Sequence, residues 1–177
     1  MYRQRDVQEA YHDFLLKNKD TECIFCNAPE FQVVEDLEYF QVLKNTFPYY
    51  VWDFREVVDH LLLVPKRHVV TMLDLSDEEK KEYIEVMSQY EGAGYNLYTR
   101  TRGSKARSVN HIHTHLIKCS DREFVTMKYQ KDPYLSEATF EDWGWKRDFP
   151  YQKQSWGWHW RLICLCHIRG GRDSRQH

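Results

Sequence analysis

The sequence predicts an α+β domain in which a mainly antiparallel five-stranded sheet is accompanied by one central helix and an N-terminal helix. Three observations support this prediction. Several short stretches have the composition of strands, one longer stretch carries the capping signal of a helix, and the strand connections are mostly too short for parallel crossovers. The chain has 177 residues, which fits one domain with a short element appended at one end.

The first predicted element is an amphipathic helix over residues 3–17, in which apolar side chains recur at helical spacing. Its apolar stripe consists of Val7, Tyr11, Phe14 and Leu15. A compact loop with the sequence ECIFCNAPE follows this helix. Residues 31–34 and 39–44 then predict two strands on either side of Glu35 and Asp36.

The remaining elements are arranged around one central helix. Residues 60–65 (HLLLVP) form a continuous apolar run, which is typical of a buried strand. Ser76 and Glu79 match a capping box at the start of a helix that we expect to end near Tyr90, before two glycines. The other predicted strands are residues 95–99, 109–118 and, as a sixth, 123–129.

Composition and charge exclude several classes of protein. The formal net charge of −2 argues against a generally basic nucleic-acid binder. The longest apolar runs are far shorter than the roughly 20 residues of a membrane-spanning helix, so we expect no membrane partner. The N-terminus lacks the apolar region of a signal peptide, which predicts a cytoplasmic protein with reduced thiols. The five cysteines therefore need a role other than disulfide formation.

Three histidines alternate in the segment HIHTHL. On an extended strand, His111, His113 and His115 share one face, while Ile112 and Thr114 face the other way. Three histidines in strict alternation indicate metal binding or nucleophilic and acid–base chemistry. Because residues i and i+4 lie roughly 13 Å apart along a strand, the three rings do not easily converge on one ion. We therefore expect one histidine to serve a metal and another to serve the chemistry.

A C-x-x-C pair supplies the other half of a candidate metal site. Cys23 and Cys26 have the spacing that chelates one ion in a tight turn. His68 and His111 lie at the ends of two predicted strands, and they complete a tetrahedral site if those strands are neighbours. The alternatives are a redox pair or two unligated thiols. A thioredoxin-like redox pair favours a βαβ context, which this sequence does not predict.

The motifs CIFC, NTFPY, HLLLVPKRHV and RSVNHIHTHLI, in this order, resemble the histidine-triad (HIT) nucleotide hydrolases and transferases over about residues 22–120. The resemblance implies a HIT-like α+β fold, usually a homodimer, that binds a nucleotide in a groove over the sheet. It also implies that the middle histidine, here His113, attacks the α-phosphorus and forms a nucleotidyl-histidine intermediate. Water or another acceptor then releases the nucleoside monophosphate.

The resemblance implies roles for further residues. His115 is expected to donate a hydrogen bond to a phosphate oxygen, and Ser108 to contact the phosphate or the leaving group. Asn45, in the NTFPY motif, is expected to contact the ribose of the nucleotide substrate. Zinc-bearing members of the family use ligands that match Cys23, Cys26, His68 and His111. A zinc ion with four protein ligands is structural, because no coordination position stays open for water.

One departure from the family pattern lies in the loop before the histidines. The family usually reads A-G-Q-S-V, whereas this chain reads RTRGSKARSV. Arg107 replaces the glutamine, and Arg100 falls at the position of an asparagine that precedes the motif in the family. The cations of this loop predict that Arg100 and Arg107 bind a substrate with an anionic leaving group. A solvated basic loop is the alternative.

The predicted organisation has three parts. Residues 1–21 form the N-terminal helix, residues 22–130 form the HIT domain, and residues 131–177 form a Trp-rich extension whose last residues we expect to be disordered. Within the HIT domain, the segment YVWDFREVVD has no family counterpart. It predicts a longer hairpin beside the nucleotide groove, with aromatic side chains that either stack on a base or pack within the protein.

The sequence therefore predicts a zinc-stabilised enzyme that cleaves a nucleoside 5'-phosphate linkage in a dinucleoside polyphosphate, a phosphoramidate or another nucleotidyl conjugate. Two enzymatic variants stay open: a phosphorylase that transfers the nucleotidyl group to phosphate, and an enzyme that repairs adenylylated nucleic-acid ends. The alternative of a different class is a non-catalytic, zinc-stabilised nucleotide- or nucleic-acid-binding module. A small nucleotide is favoured over nucleic acid as the partner.

Overall fold

The computed structural model describes residues 2–18, 22–129 and 134–140. The chain divides into two compact units, Met1–Glu141 and Asp142–His177, and every described residue belongs to the first. The tryptophans and the disorder predicted for the extension, 131–177, lie outside the described residues. Within the described part of the chain, no helix is both long enough and apolar enough to cross a membrane.

The first unit is built on an eight-stranded sheet. Its strands are β1 (Arg3–Gln4), β2 (Val33–Asp36), β3 (Phe40–Lys44), β4 (Val51–Trp52), β5 (Arg55–Pro65), β6 (Tyr95–Thr99), β7 (Thr114–Tyr129) and β8 (Tyr134–Phe140). The main strand order is β1-β8-β7-β5-β3-β2, while β4 pairs with β5 and β6 pairs with β7. Among the described strands, the single parallel pair is β1 with β8. The predicted α+β class and mainly antiparallel sheet are confirmed, although the sheet has eight strands where five were predicted.

Two α-helices accompany the sheet, as predicted. They are α1 (Arg5–Lys17) and α2 (Asp77–Gly92). The capping box at the start of α2 is present: Ser76 Oγ accepts a hydrogen bond from the Glu79 N–H, and the Glu79 carboxylate accepts one from the Ser76 N–H. Glu79 also pairs with Arg67 at 2.7 Å. This pair fastens the start of α2 to the residue that directly precedes His68.

The core lies between one face of the sheet and α2. Its buried side chains include Phe40, Val42, Leu63, Tyr83, Val86, Ile112 and Leu116. Alternate residues of β5, Leu62 and Val64, point to the opposite face and pack with Phe25 of the cysteine loop. Because neighbouring residues of a strand face opposite ways, the first face is closed by α2 and the second is left for the candidate site.

The segment that carries the histidines differs from its prediction. The strand predicted over residues 109–118 begins only at Thr114, because the preceding segment hydrogen-bonds to a loop instead of a neighbouring strand. The Ile112 N–H donates to the Val69 carbonyl oxygen at 2.7 Å. The strand then continues without a break to Tyr129, where a separate strand over 123–129 was predicted. It is continuous because β5 and then β8 supply its pairing partners along this length.

The segment without a family counterpart forms a hairpin between β4 and β5, and its greater length than in the family stays a prediction. Asp53 and Phe54 form the turn between β4 and β5 with φ angles of 49° and 58°. Two consecutive residues with positive φ are typical of the type I′ turn, whose twist matches that of paired strands. The hairpin begins directly after Tyr49 and Tyr50, and the buried ring of Tyr49 packs against the rings of His60 and His115.

Candidate active site

The three alternating histidines are buried, with exposed fractions of 0% for His111, 7% for His113 and 5% for His115. The rings of His113 and His115 lie side by side, with centroids 5.2 Å apart. The ring of His111 faces the cysteine loop instead, and its Nδ1 lies 3.4 Å from Cys23 Sγ. The structure thus divides the three histidines as the sequence predicts: His111 lies beside the thiols, whereas His113 and His115 lie beside a cleft.

The orientation of His113 is set by the backbone. Its Nδ1 lies 2.8 Å from the carbonyl oxygen of His111. A carbonyl can only accept a hydrogen bond, so Nδ1 carries the proton and Nε2 keeps its lone pair. The ring of Phe25 packs 5.0 Å from that of His113. Burial lowers the pKa of His113, which keeps the ring neutral and suited to nucleophilic attack.

A fourth histidine, His60, for which no role was predicted, sets the proton on His115. The Tyr49 N–H donates to His60 Nδ1 at 3.0 Å, and His60 Nε2 lies 2.9 Å from His115 Nδ1. Since His60 Nδ1 accepts, its Nε2–H must donate to His115 Nδ1, and the proton of His115 then sits on Nε2. His115 is therefore a hydrogen-bond donor on its second nitrogen. Only the register of β5 against β7 brings His60 to this place.

His60 and His115 are held neutral. Burial, with smaller contributions from the positive charge of Arg3 and from His113, lowers the pKa of His60 to about 3. Burial lowers the pKa of His115 to about 2, with contributions from His113, His60, Arg100 and Arg3. A chain of directed hydrogen bonds between these rings requires this neutral state, because two charged rings would repel each other.

We expect the free energy of unfolding to fall as the pH drops from about 6.5 towards 3. An unfolded histidine binds a proton near pH 6.5, so below that value the unfolded chain takes up protons that folded His60 and His115 exclude. Above about pH 6.5, neither histidine lowers the free energy of unfolding. Below that value, the free energy of unfolding falls by about 1.4 kcal/mol per pH unit for each of the two histidines. Urea unfolding at about pH 7, 6 and 5 measures it. The variant His115→Asn should show a shallower slope, and equal slopes for both proteins would contradict the expectation.

Cys23, Cys26, His68 and His111 come together in space, as the sequence predicts. Their donor atoms all lie within 4.8 Å of one another. Cys26 Sγ lies 3.3 Å from His68 Nδ1 and 3.5 Å from His111 Nδ1. The cluster joins the cysteine loop, the loop after β5 and the segment before β7. A single ion here would cross-link three parts of the chain.

The arrangement fits a tetrahedral zinc ion. Zn–S bonds of about 2.3 Å and Zn–N bonds of about 2.0 Å place sulfur and nitrogen about 3.5 Å apart, which matches the observed separations. Two thiols and two imidazoles are a donor set that zinc favours. Burial, together with the neighbouring Cys23 thiol, raises the pKa of Cys26 to about 11, a shift that a bound cation would reverse.

Two cavities meet at the histidine pair. The first has a volume of about 430 Å³ and is largely apolar. Its lining includes Phe14, Phe25, Leu43, Phe47 and Leu62. The second has a volume of about 560 Å³, and its lining is more polar than that of the first and includes three cations. Its lining includes Arg3, Gln8, Tyr49, Arg100 and Lys105. Because His113 and His115 line both, the reacting centre lies between an apolar cavity and a basic one.

Ser108 and Asn45 both line the first cavity, as their predicted roles require. The Tyr11 hydroxyl donates a hydrogen bond to Ser108 Oγ, so the Ser108 hydroxyl can donate its own proton to a different group. The Asn45 side chain accepts from the Phe47 N–H at 3.0 Å, and its Nδ2 lies 3.3 Å from His60 Nδ1, the ring nitrogen that accepts. Asn45 thus holds its own loop against His60, and its contact with a ribose stays a prediction.

The two arginines expected to bind substrate occupy different places. Arg100 lines the basic cavity and donates from Nη2 to the Tyr49 hydroxyl at 3.2 Å. Arg107 lines neither cavity. Its guanidinium donates to the Val70 carbonyl at 2.8 Å and to the Val109 carbonyl at 3.2 Å. Arg107 therefore braces the loop before the histidines, while Arg100 faces the cleft.

Comparison with known proteins gives a family match. A family model described as the HIT domain matches residues 27–121. The adenosine 5'-monophosphoramidase of Saccharomyces cerevisiae is 24% identical over 109 residues, which cover 59% of this chain and 66% of the relative. The bis(5'-adenosyl)-triphosphatase of the same yeast is 28% identical over 131 residues, which cover 67% of this chain and 62% of the relative. The matched region thus spans just under two thirds of the length of these relatives.

A solved structure gives a weaker likeness. The crystal structure of a zinc-bound histidine triad family protein from Mycobacterium smegmatis aligns with a TM-score of 0.43 and 24% sequence identity. The alignment covers 56% of this chain and 76% of that protein.

Proposed function

The chain belongs to the HIT family, and we propose that it is a nucleotide hydrolase that cleaves nucleoside 5'-phosphate linkages through His113. The observation that carries the proposal is the orientation of His113, whose Nδ1–H is bound by the His111 carbonyl so that Nε2 keeps its lone pair. The two yeast relatives are named for acting on an adenosine 5'-phosphoramidate and on a bis(5'-adenosyl) triphosphate. Both compounds carry an adenosine 5'-phosphoryl group, which defines the proposed substrate class.

In the first step, His113 Nε2 attacks the α-phosphorus. An N–P bond forms while the bond from phosphorus to the leaving group breaks, and the leaving group departs with the electron pair. The His111 carbonyl stabilises the positive charge that develops on the ring. His115 donates from Nε2 to an equatorial phosphoryl oxygen. Ser108 keeps its own hydroxyl proton for the leaving group or a phosphoryl oxygen, because Tyr11 donates to its oxygen.

In the second step, water attacks the same phosphorus and the N–P bond breaks. The nucleoside monophosphate leaves, His113 Nε2 regains its lone pair, and one proton is released. Diadenosine triphosphate and water thus give AMP and ADP, and the phosphoramidate and water give AMP and ammonia. If phosphate replaced water as the acceptor, the product would be a nucleoside diphosphate, as the phosphorylase variant requires.

We propose zinc as the resident metal, held by Cys23, Cys26, His68 and His111. Four protein ligands leave no open position, so the ion supplies a structural cross-link. Its effect on the reaction is indirect. It fixes His111, whose carbonyl orients His113, and it fixes the loop that carries Phe25 against the His113 ring.

The apolar cavity is the proposed site of the base and ribose. Its volume, about 430 Å³, lies in the usual range of small-molecule sites, roughly 300–1,000 Å³. Asn45 lines it, in agreement with the predicted ribose contact. A homodimer and a cytoplasmic location, which the family resemblance and the composition predict, are part of the same proposal.

The test is the intact mass of the full chain after brief mixing with diadenosine triphosphate, quenched in alkali because phosphoramidates are acid-labile. We expect an AMP-sized adduct and release of AMP. Free AMP without an adduct means that hydrolysis outruns attack, and the His113 variant in the Discussion then decides. Neither adduct nor AMP, with the phosphoramidate as well, would favour the non-catalytic binding module. A nucleoside diphosphate formed from the phosphoramidate when phosphate is added would identify a phosphorylase.

A further inference from the structure

Residues 2–18, here called the N-terminal arm, lie over the active site. The Tyr50 N–H donates to the Tyr2 carbonyl at 2.8 Å, which ties the start of the arm to the hairpin. The rings of Tyr11 and Phe14 each pack 5.2 Å from Phe47 in the NTFPY motif. The family match begins at residue 27, so the arm lies outside the matched region.

The arm carries Arg3 to the place where the two cavities meet, because Arg3 lines both the apolar and the basic one. The guanidinium carbon of Arg3 lies 4.2 Å from the centre of the Tyr11 ring and 4.7 Å from that of Tyr49. Its Nε donates to the Phe47 carbonyl at 2.9 Å, and its Nη1 donates to Gln8 at 3.3 Å. These partners are all neutral, and no carboxylate pairs with Arg3 within the described part of the chain.

Arg100 reaches the basic cavity and shares Tyr49 with Arg3. Arg3 packs on the ring of Tyr49, and Arg100 donates to its hydroxyl at 3.2 Å. Burial lowers the pKa of Arg3, and the positive charge of Arg100 lowers it further. An anion bound between these two guanidinium groups would be attracted by both of them.

The two acidic residues that line the basic cavity do not cancel the positive charge of Arg3 and Arg100. Glu9 is already paired with Arg5 at 2.8 Å, and both side chains are exposed. Asp13 lies in an exposed position on α1. Lys105, which also lines the cavity, adds a third cation. The interior of the cavity is therefore electropositive, and it opens onto His113 and His115.

We propose that Arg3 and Arg100 form an anion subsite that binds the phosphate chain of a polyphosphate leaving group. This inference rests on the proposed function, which places the nucleoside in the apolar cavity and the α-phosphorus at His113. The phosphates beyond the α-phosphorus then extend into the basic cavity. Planar guanidinium groups bind phosphate oxygens through paired hydrogen bonds. An ammonia leaving group has no negative charge for them to bind, so the arm makes the enzyme selective for polyphosphate substrates.

The test compares two substrates that share AMP and differ in the leaving group: diadenosine triphosphate and adenosine 5'-phosphoramidate. The readout is the ratio of their kcat/KM values for the full chain. In Arg3→Met we expect this ratio to fall about tenfold or more, chiefly through KM for diadenosine triphosphate, because a charge-assisted contact is lost. Arg3→Lys, which keeps the charge, should recover part of the ratio. Lys81→Met is the control, since it removes one positive charge from an exposed position on α2 that lines neither cavity, and it should leave the ratio unchanged.

The outcomes separate the subsite from the proposed function. If Arg3→Met lowers both kcat/KM values equally and Arg3→Lys restores neither, Arg3 only holds the arm in place and the subsite is overturned. If the wild-type chain turns over only the phosphoramidate, the subsite is also overturned. If it turns over neither compound, the proposed function fails, and calorimetric binding of inorganic triphosphate decides the subsite. Binding about tenfold or more weaker in Arg3→Met would support it, and equal binding would overturn it.

Discussion

Replacing His113 with alanine is expected to lower turnover of diadenosine triphosphate by roughly a thousandfold or more, because the nucleophile itself is removed. Without Nε2, water must attack the α-phosphorus directly, and the two-step route through the nucleotidyl-histidine is lost. His115 and the cations of the cleft still bind the phosphates, so nucleotide affinity should change much less than kcat. The AMP-sized adduct should be absent. Initial rates, binding by calorimetry and intact mass measure the three quantities.

The loss must be separated from damage to the fold. His113 is buried against Phe25, so alanine leaves a cavity beside the cysteine loop. The variant His113→Asn fills more of this space and still lacks a ring nucleophile, so it should be equally inactive with a melting temperature closer to that of the wild type. Both variants should retain the metal content of the wild type. A variant that loses turnover only in proportion to its nucleotide affinity would indicate a binding module instead of an enzyme.

Removing one thiol from the metal cluster is expected to have the second large effect. We expect one zinc ion per wild-type chain by elemental analysis, and a substoichiometric amount in Cys23→Ala. A structural zinc ion supplies binding free energy directly to folding, so losing it should cost several kcal/mol. For a chain of this size, that lowers the melting temperature by on the order of 10 °C or more. Turnover should fall as well, because His111 loses the partner that fixes the carbonyl behind His113.

Cys119→Ala is the matched control for this experiment. Cys119 is a half-buried thiol on β7 outside the metal cluster, and burial raises its pKa. Its removal should leave the zinc content and turnover unchanged. A Cys23→Ala preparation with undiminished metal and an unchanged melting temperature would refute the zinc assignment. A full complement of a different metal in the wild-type chain would keep the cluster as a metal site and correct the identity of the ion.

Local patterns in the sequence were enough to predict much of the fold. Apolar spacing located α1, and the Ser76–Glu79 capping box located the start of α2, because both signals depend on residues only one helical turn apart. The period of two in the HIHTHL segment separated the faces correctly even though residues 109–113 are not paired as a strand. Ile112 joins the core, whereas His113 faces the cleft.

The same local patterns did not determine where β7 begins and ends. The histidine segment has the composition of a strand, but Ile112 donates its hydrogen bond to Val69 instead of to a neighbouring strand. At the other end, β7 runs to Tyr129 because β8 pairs with it beyond the reach of β5. Strand boundaries depend on which partner strand is present, and this information is not local.

The chemistry-bearing residue types were determined by the sequence alone: paired thiols, alternating histidines and a basic loop. Which of them face one another was decided by the tertiary structure. His60 reads as the first residue of a buried strand, and only the register of β5 with β7 makes it the partner of His115. Arg100 and Arg107 look equivalent in the loop, yet one faces the cleft and the other binds backbone carbonyls. Arg3 lies far from both in the chain, and it enters the site because the aromatic stripe of α1 packs on Phe47. Periodicity fixes the face on which a side chain lies, whereas long-range packing fixes what that face meets.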